Sequence, residues 1–313
     1  MSGPAKPHPL ATLSPICIVI PTYNRLGVLR KCLQHLEAQT SADFEVFVVD
    51  DGSSDATPQL LQQYAASGRL RLRYATQPNS GPARARNLAV ANIQSPLCLF
   101  IGDDILPTPS FVATHLDFHR ANPELRFAAL GLTRWSESEQ TVTPFMRWLD
   151  NGFQFDYNNL LNGLPPDWRH FYTSNLSLKT DLLRRHPFDD RFRGDDLLED
   201  GELSYRLHRL EDLRLAFLPN AIAEHVHPTD FPKACRRAFA IGRSYVLFEA
   251  LCPNALPPKS PLRLVLRDLL GRCVWLLTPS AWLVDKLTRI WCPNPLLQPV
   301  LSLHAAVGRR YRT

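Results

Sequence analysis

The run ICIVIPTYNR, Ile16 to Arg25, decides how the rest of the chain is read. Its first five residues are apolar without interruption and mostly β-branched, the pattern of a strand buried on both faces. Pro21 and Asn24 are turn residues, so polar chemistry begins where the strand ends. The arrangement recurs: FEVFVVD (Phe44–Asp50) runs into Asp51-Gly52-Ser53-Ser54-Asp55, and PLCLFI (Pro96–Ile101) into Gly102-Asp103-Asp104. Helical spacing fills the intervals. Leu29, Leu33 and Leu36 share one side of a helix over 26–39, and Asp55 is placed to cap a helix carrying Leu60, Leu61 and Tyr64. Residues 83–92 and 111–120 read as further helices, and LRLRYA (Leu70–Ala75) as a half-exposed strand. RFAALGL (Arg126–Leu132) and Leu213–Leu218 read as strands, Asp181–Arg185 and Glu199–Leu210 as helices. This β-α order predicts an α/β fold with a mostly parallel sheet flanked by helices. In such sheets ligands bind beyond the carboxyl ends of the strands, where the polar clusters fall.

Each cluster carries a bland reading and a chemical one. Pro21-Thr22-Tyr23-Asn24-Arg25 is a strand-to-helix turn, or a nucleotide wall with Tyr23 stacking and Thr22 in polar contact. Asp50 and Asp51 end a buried strand, and buried charge needs a partner; a base N–H or a ribose hydroxyl would serve. In Asn79-Ser80-Gly81-Pro82-Ala83-Arg84-Ala85-Arg86-Asn87, two Arg in the first turns of a helix oppose its dipole, which favours an anionic partner. That partner is a phosphate or the acids of the next cluster, Asp103 and Asp104. Those two acids are an acidic turn, or hard oxygen ligands for Mg²⁺ or Mn²⁺. Five acids within Asp195–Glu202 suit a helix start and also offer a general base. Glu224-His225-Val226-His227-Pro228 sets two His at i, i+2, a metal-ligand spacing.

The formal net charge of +5 hides an asymmetry. Residues 1–232 hold 22 Lys and Arg against 27 Asp and Glu, whereas 233–313 hold 13 against 3. An acidic body followed by a basic tail points to two roles. Within the tail, Leu262–Leu277 and Ala281–Cys292 have apolar stripes at helical spacing beside Arg263, Arg267, Arg272, Lys286 and Arg289. Such helices either lie on an anionic membrane surface or pack on the catalytic domain or a second subunit as a homodimer. The apolar content argues against nucleic acid. Seven cysteines without a CxxC pair suggest neither a zinc cluster nor a disulfide framework; Cys17 and Cys98 read as core residues. A cytoplasmic location fits, with the tail as a candidate for peripheral attachment at the inner face of the membrane. The expected division is a flexible N-terminus at 1–15, a catalytic domain at 16–232 and a basic amphipathic helical region at 233–313. The aromatic-rich stretch 133–170 reads as an excursion beside the site.

In order and spacing, IVIPTYNR (18–25), VVDDGSSDAT (48–57), NSGPARARNLA (79–89), LFIGDDILP (99–107), SNLSLK (174–179), LLEDGELSYRL (197–207) and AEHVHP (223–228) resemble the family 2 inverting glycosyltransferases of the GT-A fold. The resemblance implies a nucleotide-sugar donor, with a UDP-sugar favoured, and a glycan or lipid-linked acceptor. It also implies a divalent metal, Mg²⁺ or Mn²⁺, and inversion at the anomeric carbon. Thr22 and Tyr23 would line the base, Asp51 would recognise it beside Asp50, and Arg86 would hold the diphosphate. Asp104 would bind the metal with His225, His227 being the alternative, and Asp103 would contact the donor ribose or sugar. Asp200 would be the catalytic base, with Glu199 supporting the acceptor. Gly102 stands where the family's first metal-motif acid is expected. That departure motivates a competing expectation, a catalytically silent nucleotide-sugar binding or scaffold protein. A nucleotidyltransferase would carry a Gly-rich phosphate loop near residue 21, which is missing here.

Overall fold

Alternation divides the opening apolar run between two cores. In β1 (Ile16–Thr22), Ile16, Ile18 and Ile20 enter one core, while Cys17 and Val19 enter the other. The same division holds in β2 (Phe44–Asp50) and β4 (Leu97–Ile101), so these strands are covered on both faces. α1 (Leu26–Glu37), α2 (Thr57–Ser67) and α4 (Phe111–Ala121) cover the first face. α3 (Pro82–Asn92), α7 (Thr180–Arg185) and α8 (Glu199–Glu211) cover the second. The remaining strands are β3 (Leu72–Thr76), β5 (Ile105–Pro107), β6 (Phe127–Trp135), β7 (Asn175–Lys179) and β8 (Arg214–His225). This computed structural model describes residues 13–150 and 154–256, and near the C-terminus 300–302, 304, 305 and 307–309. The amphipathic segments expected at 262–277 and 281–292 lie outside the described residues, as do residues 1–12.

The eight strands form one sheet in the order β3-β2-β1-β4-β7-β6-β8-β5. Neighbours pair in parallel except β4–β7, β6–β7 and β5–β8, so the expected mostly parallel α/β sheet is observed. SNLSLK supplies the antiparallel β7, and β8 runs past the expected end at Leu218 to His225. Cys17 and Cys98 are fully buried, as expected of core residues. The aromatic stretch after β6 holds α5 (Pro144–Leu149) and α6 (Tyr157–Leu161). α9 (Phe231–Leu251) begins just before the expected domain boundary at 232/233, so that boundary falls inside a helix. α9 packs with Phe145 and Leu149 of α5 and with Leu301. A Cβ at Gly242 would lie 1.8 Å from the Ala305 carbonyl oxygen, so the terminal residues rest directly on the α9 backbone. No helix among the described residues is long and apolar enough to cross a membrane.

A buried polar chain links α4 to β7. Lys179 Nζ lies 2.8 Å from His119 Nδ1, and Ser177 Oγ lies 2.8 Å from both His119 Nε2 and His115 Nδ1. His115 Nε2 meets Asn175 Oδ1 at 3.0 Å, and the Asn175 amide donates to the carbonyls of Leu132 and Ala221. One assignment satisfies every contact: each histidine is neutral, protonated on Nε2, and accepts at Nδ1. Burial holds His115 down to about 4; burial and then the Lys179 charge hold His119 down to about 3. In the unfolded chain both protonate near 6.5. Below that pH the unfolded chain therefore binds protons that the folded chain refuses, and stability falls as pH drops from about 6.5 towards 4. Urea unfolding across this range should show that loss, and His119→Gln should flatten the slope by removing one of the two sites.

Candidate active site

The metal-type corner is built by the pairing of β5 with β8. Ile105 stands opposite His225 in the ladder, and the Val226 N–H donates to the Asp104 carbonyl at 2.9 Å. This register brings the Asp103-Asp104 turn against His225 and His227. Asp104 Oδ2 lies 3.4 Å from His225 Nε2 and 3.2 Å from His227 Nδ1. Potential ligand atoms of these three residues lie within 4.8 Å of one another. Trp135 stacks on the His225 ring at 5.0 Å and 10°, which fixes its plane. Both histidines, rather than one of them, thus face Asp104. A Cβ at Gly102 would lie 2.7 Å from Asp104 Oδ1, so the space of the missing first acid is taken up by the Asp104 carboxylate.

Two adjacent buried acids require nearby cations. Arg25 Nη1 donates to Asp103 Oδ1 at 2.7 Å and to Asp104 Oδ2 at 2.9 Å, and Thr22 Oγ1 donates to Asp103 Oδ2 at 2.8 Å. Burial and the neighbouring Asp104 charge push Asp103 up. Burial also works to raise Asp104, but His225 and Arg25 outweigh it and hold the group well below the usual carboxylate range. Arg86, expected to meet a phosphate or these acids, does not reach Asp103 or Asp104; it donates from Nη1 to Glu199 Oε1 at 2.8 Å and lines the cavity. Its neighbour Arg84 lies 3.8 Å from Asp190.

The base-type corner is the start of α8. Leu198 precedes it at φ +77°, a left-handed conformation that costs a branched residue about 1–3 kcal/mol. The turn sends Glu199 inward to Arg86 and leaves Asp200 on the cavity wall. Burial and then the Glu199 charge push Asp200 up to about 6, against the pull of Arg86 and Arg237.

The donor-type wall is a locked pair of loops. Asn24 Oδ1 accepts from the N–H groups of Ser54 and Asp55, and Asn24 N donates to Ser53 Oγ at 2.8 Å. Asp55 does not cap α2 as the residue flanking the helix; that position is Ala56. Asp55 instead accepts from Leu26 N and Thr57 N, the first residues of α1 and α2, because the two helix starts converge there. Tyr23 remains exposed beside this turn. Asp51 accepts from Gln77 Nε2 at 2.7 Å, Ser80 N at 2.9 Å and Gly81 N at 2.8 Å, so it anchors the loop that enters α3. Asp50 is wholly buried; one oxygen accepts from Ser53 N and the other has no hydrogen-bond partner among the described residues. Gly81, at φ +92°, packs against Gly194, where an added Cβ would come within 2.8 Å of the Gly194 nitrogen.

A cavity of about 780 Å³ joins the metal-type and base-type corners; Thr22, Tyr23, Asp50, Asp51 and Asp103 are not among its lining residues. Asp104, His225 and His227 line it together with Arg25, Arg86, Glu199 and Asp200. Trp168 and Phe155, from the aromatic excursion, form part of the wall, as do Tyr245 and Phe248 of α9. Sequence reasoning gave no role to Arg25 or Arg237. Arg25 stands inside a quoted string, and its position after the turn was the available signal. Arg237 lies on α9 beyond the last recognised string, and only the packing of α9 brings it to the cavity.

Residues 17–174 match the sequence profile of the family described as Glycosyl transferase family 2. The chain belongs to that family. The validoxylamine A glucosyltransferase of Streptomyces hygroscopicus subsp. jinggangensis is 34% identical over 219 residues, covering 62% of this chain and 51% of that protein. The alignment thus spans about half the length of this curated relative. A mannosyltransferase of Pyrobaculum calidifontis, solved with GDP-Man and Mn²⁺, superposes with TM-score 0.64 at 19% identity over 96% of this chain and 88% of its own. TarS of S. aureus, solved as residues 1–349 with UDP-GlcNAc, gives TM-score 0.51 at 17% identity over 95% of this chain and 91% of its own. At these identities the solved structures establish the shared GT-A fold.

The Gly81–Gly194 contact ties the donor-type wall to the loop that leads into α8. Gly81→Ala should therefore cost about 1–3 kcal/mol, read by chemical denaturation, because it adds strain at positive φ to a backbone collision.

Proposed function

We propose that this chain is an inverting glycosyltransferase. It would move a sugar from a nucleoside-diphosphate donor, with a UDP-sugar favoured, to a hydroxyl of a glycan or lipid-linked acceptor. One observation carries the reading: a carboxyl group raised to about 6, Asp200, faces the same cavity as the cluster of Asp104, His225 and His227. A general base works best with a pKa near the working pH, and Asp200 is shifted in that direction. The validoxylamine A glucosyltransferase named above points the same way.

The cluster fits a divalent cation. It combines one carboxylate oxygen with two imidazole nitrogens, a donor set better suited to Mn²⁺ than to Mg²⁺. Asp104, His225 and His227 would hold the ion, which when bound supplies positive charge to the departing diphosphate. The protein's own cations add to that field. Arg86 and Arg237 reach the cavity, and Arg237 has no hydrogen-bond or ion-pair partner among the described residues. Tyr23, which is exposed, would stack on the base, while Thr22, Asp50 and Asp51 would shape that wall from behind, their polar atoms being engaged by Asp103, Ser53 and the 77–81 loop. Asp103, whose oxygens are held by Arg25 and Thr22, would contact the donor ribose or sugar, and Glu199, which holds Arg86, would support the acceptor side. Asp200 accepts the proton of the acceptor hydroxyl as the oxygen attacks the anomeric carbon opposite the leaving diphosphate. Trp168 and Phe155 line the cavity and would pack against a sugar. The basic segment at 262–292 remains the candidate contact with an anionic membrane surface or with a second copy.

Asp200→Asn should lower turnover by about 10²–10⁴-fold while changing nucleoside-diphosphate affinity only a few-fold. In the wild type, kcat/KM should rise with pH through a limb near 6, as the base loses its proton. A donor screen by nucleotide release, with UDP- and GDP-sugars and with Mn²⁺ and Mg²⁺ varied, provides the readout. Tight donor binding with no turnover across the panel would support the silent binding protein instead.

A further inference from the structure

Arg25 occupies atoms that a cation would use. Its Nη1 lies 2.9 Å from Asp104 Oδ2, and its Nη2 lies 3.0 Å from His227 Nδ1. A guanidinium only donates. His227 Nδ1 must therefore be the accepting, unprotonated nitrogen in this contact. The adjacent Asp104 Oδ2, 3.2 Å away, is an acceptor as well. Two acceptors this close, both turned to one positive group, is how a pair of metal ligands is arranged. Here the positive group belongs to the chain itself. The same guanidinium reaches Asp103 at 2.7 Å, so it neutralises both acids of the turn.

We infer that Arg25 is a resident cation that competes with the metal. In the metal-free protein it satisfies Asp104 and His227, and an incoming ion must displace it from both ligand atoms. Arg25 can leave because about a third of its side chain is exposed, whereas Asp103 and Asp104 are almost fully buried. Two consequences follow. The free enzyme binds the ion more weakly than its ligand set alone would dictate, and it stays folded without the ion because its buried acids are already compensated. This inference rests on the metal reading proposed above.

The test uses the full-length protein, stripped with chelator, and measures Mn²⁺ binding by calorimetry and by the loss of the free-ion electron paramagnetic resonance signal. Arg25→Gln removes the competing charge and should tighten Mn²⁺ binding by about 10-fold, a size set by near-surface electrostatics discounted for exposure. Arg25→Lys keeps a charge but has one ammonium in place of a fork, so it should fall between the two; it also serves if the Gln variant folds poorly. Thermal melts give a second readout. Mn²⁺ should raise the Tm of Arg25→Gln more than that of the wild type, because only the variant lacks a cation in the absence of metal. Equal or weaker Mn²⁺ binding in both variants overturns the role of Arg25 and leaves the metal site standing. No Mn²⁺ binding to any of the three proteins overturns the metal site, and this inference with it.

Discussion

The contacts of Arg25 with Asp103 and Asp104, at 2.7 and 2.9 Å, answer the constraint on which the site depends. Strands buried on both faces end in carboxylates, and carboxylates at such ends lose most of their hydration. A buried acid without a partner either neutralises or destabilises the fold. The chain meets this twice with arginine, through Arg25 at the end of β4 and through Arg86 at the start of α8. Where compensation is incomplete, the carboxyl rises, as at Asp200. The chemistry proposed for the cavity uses these differences: one acid held ionised among histidines, another poised to take a proton.

The two corners are mechanically connected. Asp51 fixes the Gly81 turn, Gly81 packs on Gly194, and the following residues enter the left-handed turn at Leu198 that aims Glu199 and Asp200. On the far side, Leu197 N donates to Ser244 Oγ of α9 at 3.0 Å. The segment that presents the base is thus held between the donor-type wall and α9. That arrangement gives α9 a place in the site, beyond the span that matches the family profile.

Much of the fold was legible because the strands β1, β2 and β4 are continuous apolar runs, each followed by turn chemistry. Their alternation between two cores follows from the period of a strand. β7 was harder: SNLSLK carries polar residues whose burial depends on His115, His119 and Lys179, partners remote in sequence. The candidate acids and His225 were legible as strings at strand ends, and the structure brings Asp103, Asp104 and His225 together. The partners of the arginines were not. Arg86 was read towards a phosphate or the acids of the Asp103-Asp104 turn; that packing of α3 beside α8 would set it on Glu199 was not visible in the sequence. Asp51 looked free to read a base, yet three donors from the 77–81 loop already reach it, which no local pattern reveals. Long-range pairing, as of β5 with β8, decides such contacts.

Anomalous diffraction from crystals of the full-length protein soaked with Mn²⁺ and a nucleoside diphosphate tests the account most directly. It should show an ion held by Asp104, His225 and His227, with Arg25 turned away and the diphosphate between the ion and Asp200. An ion bound elsewhere, or a diphosphate seated with Arg25 still on Asp104 and no ion beside it, would contradict it.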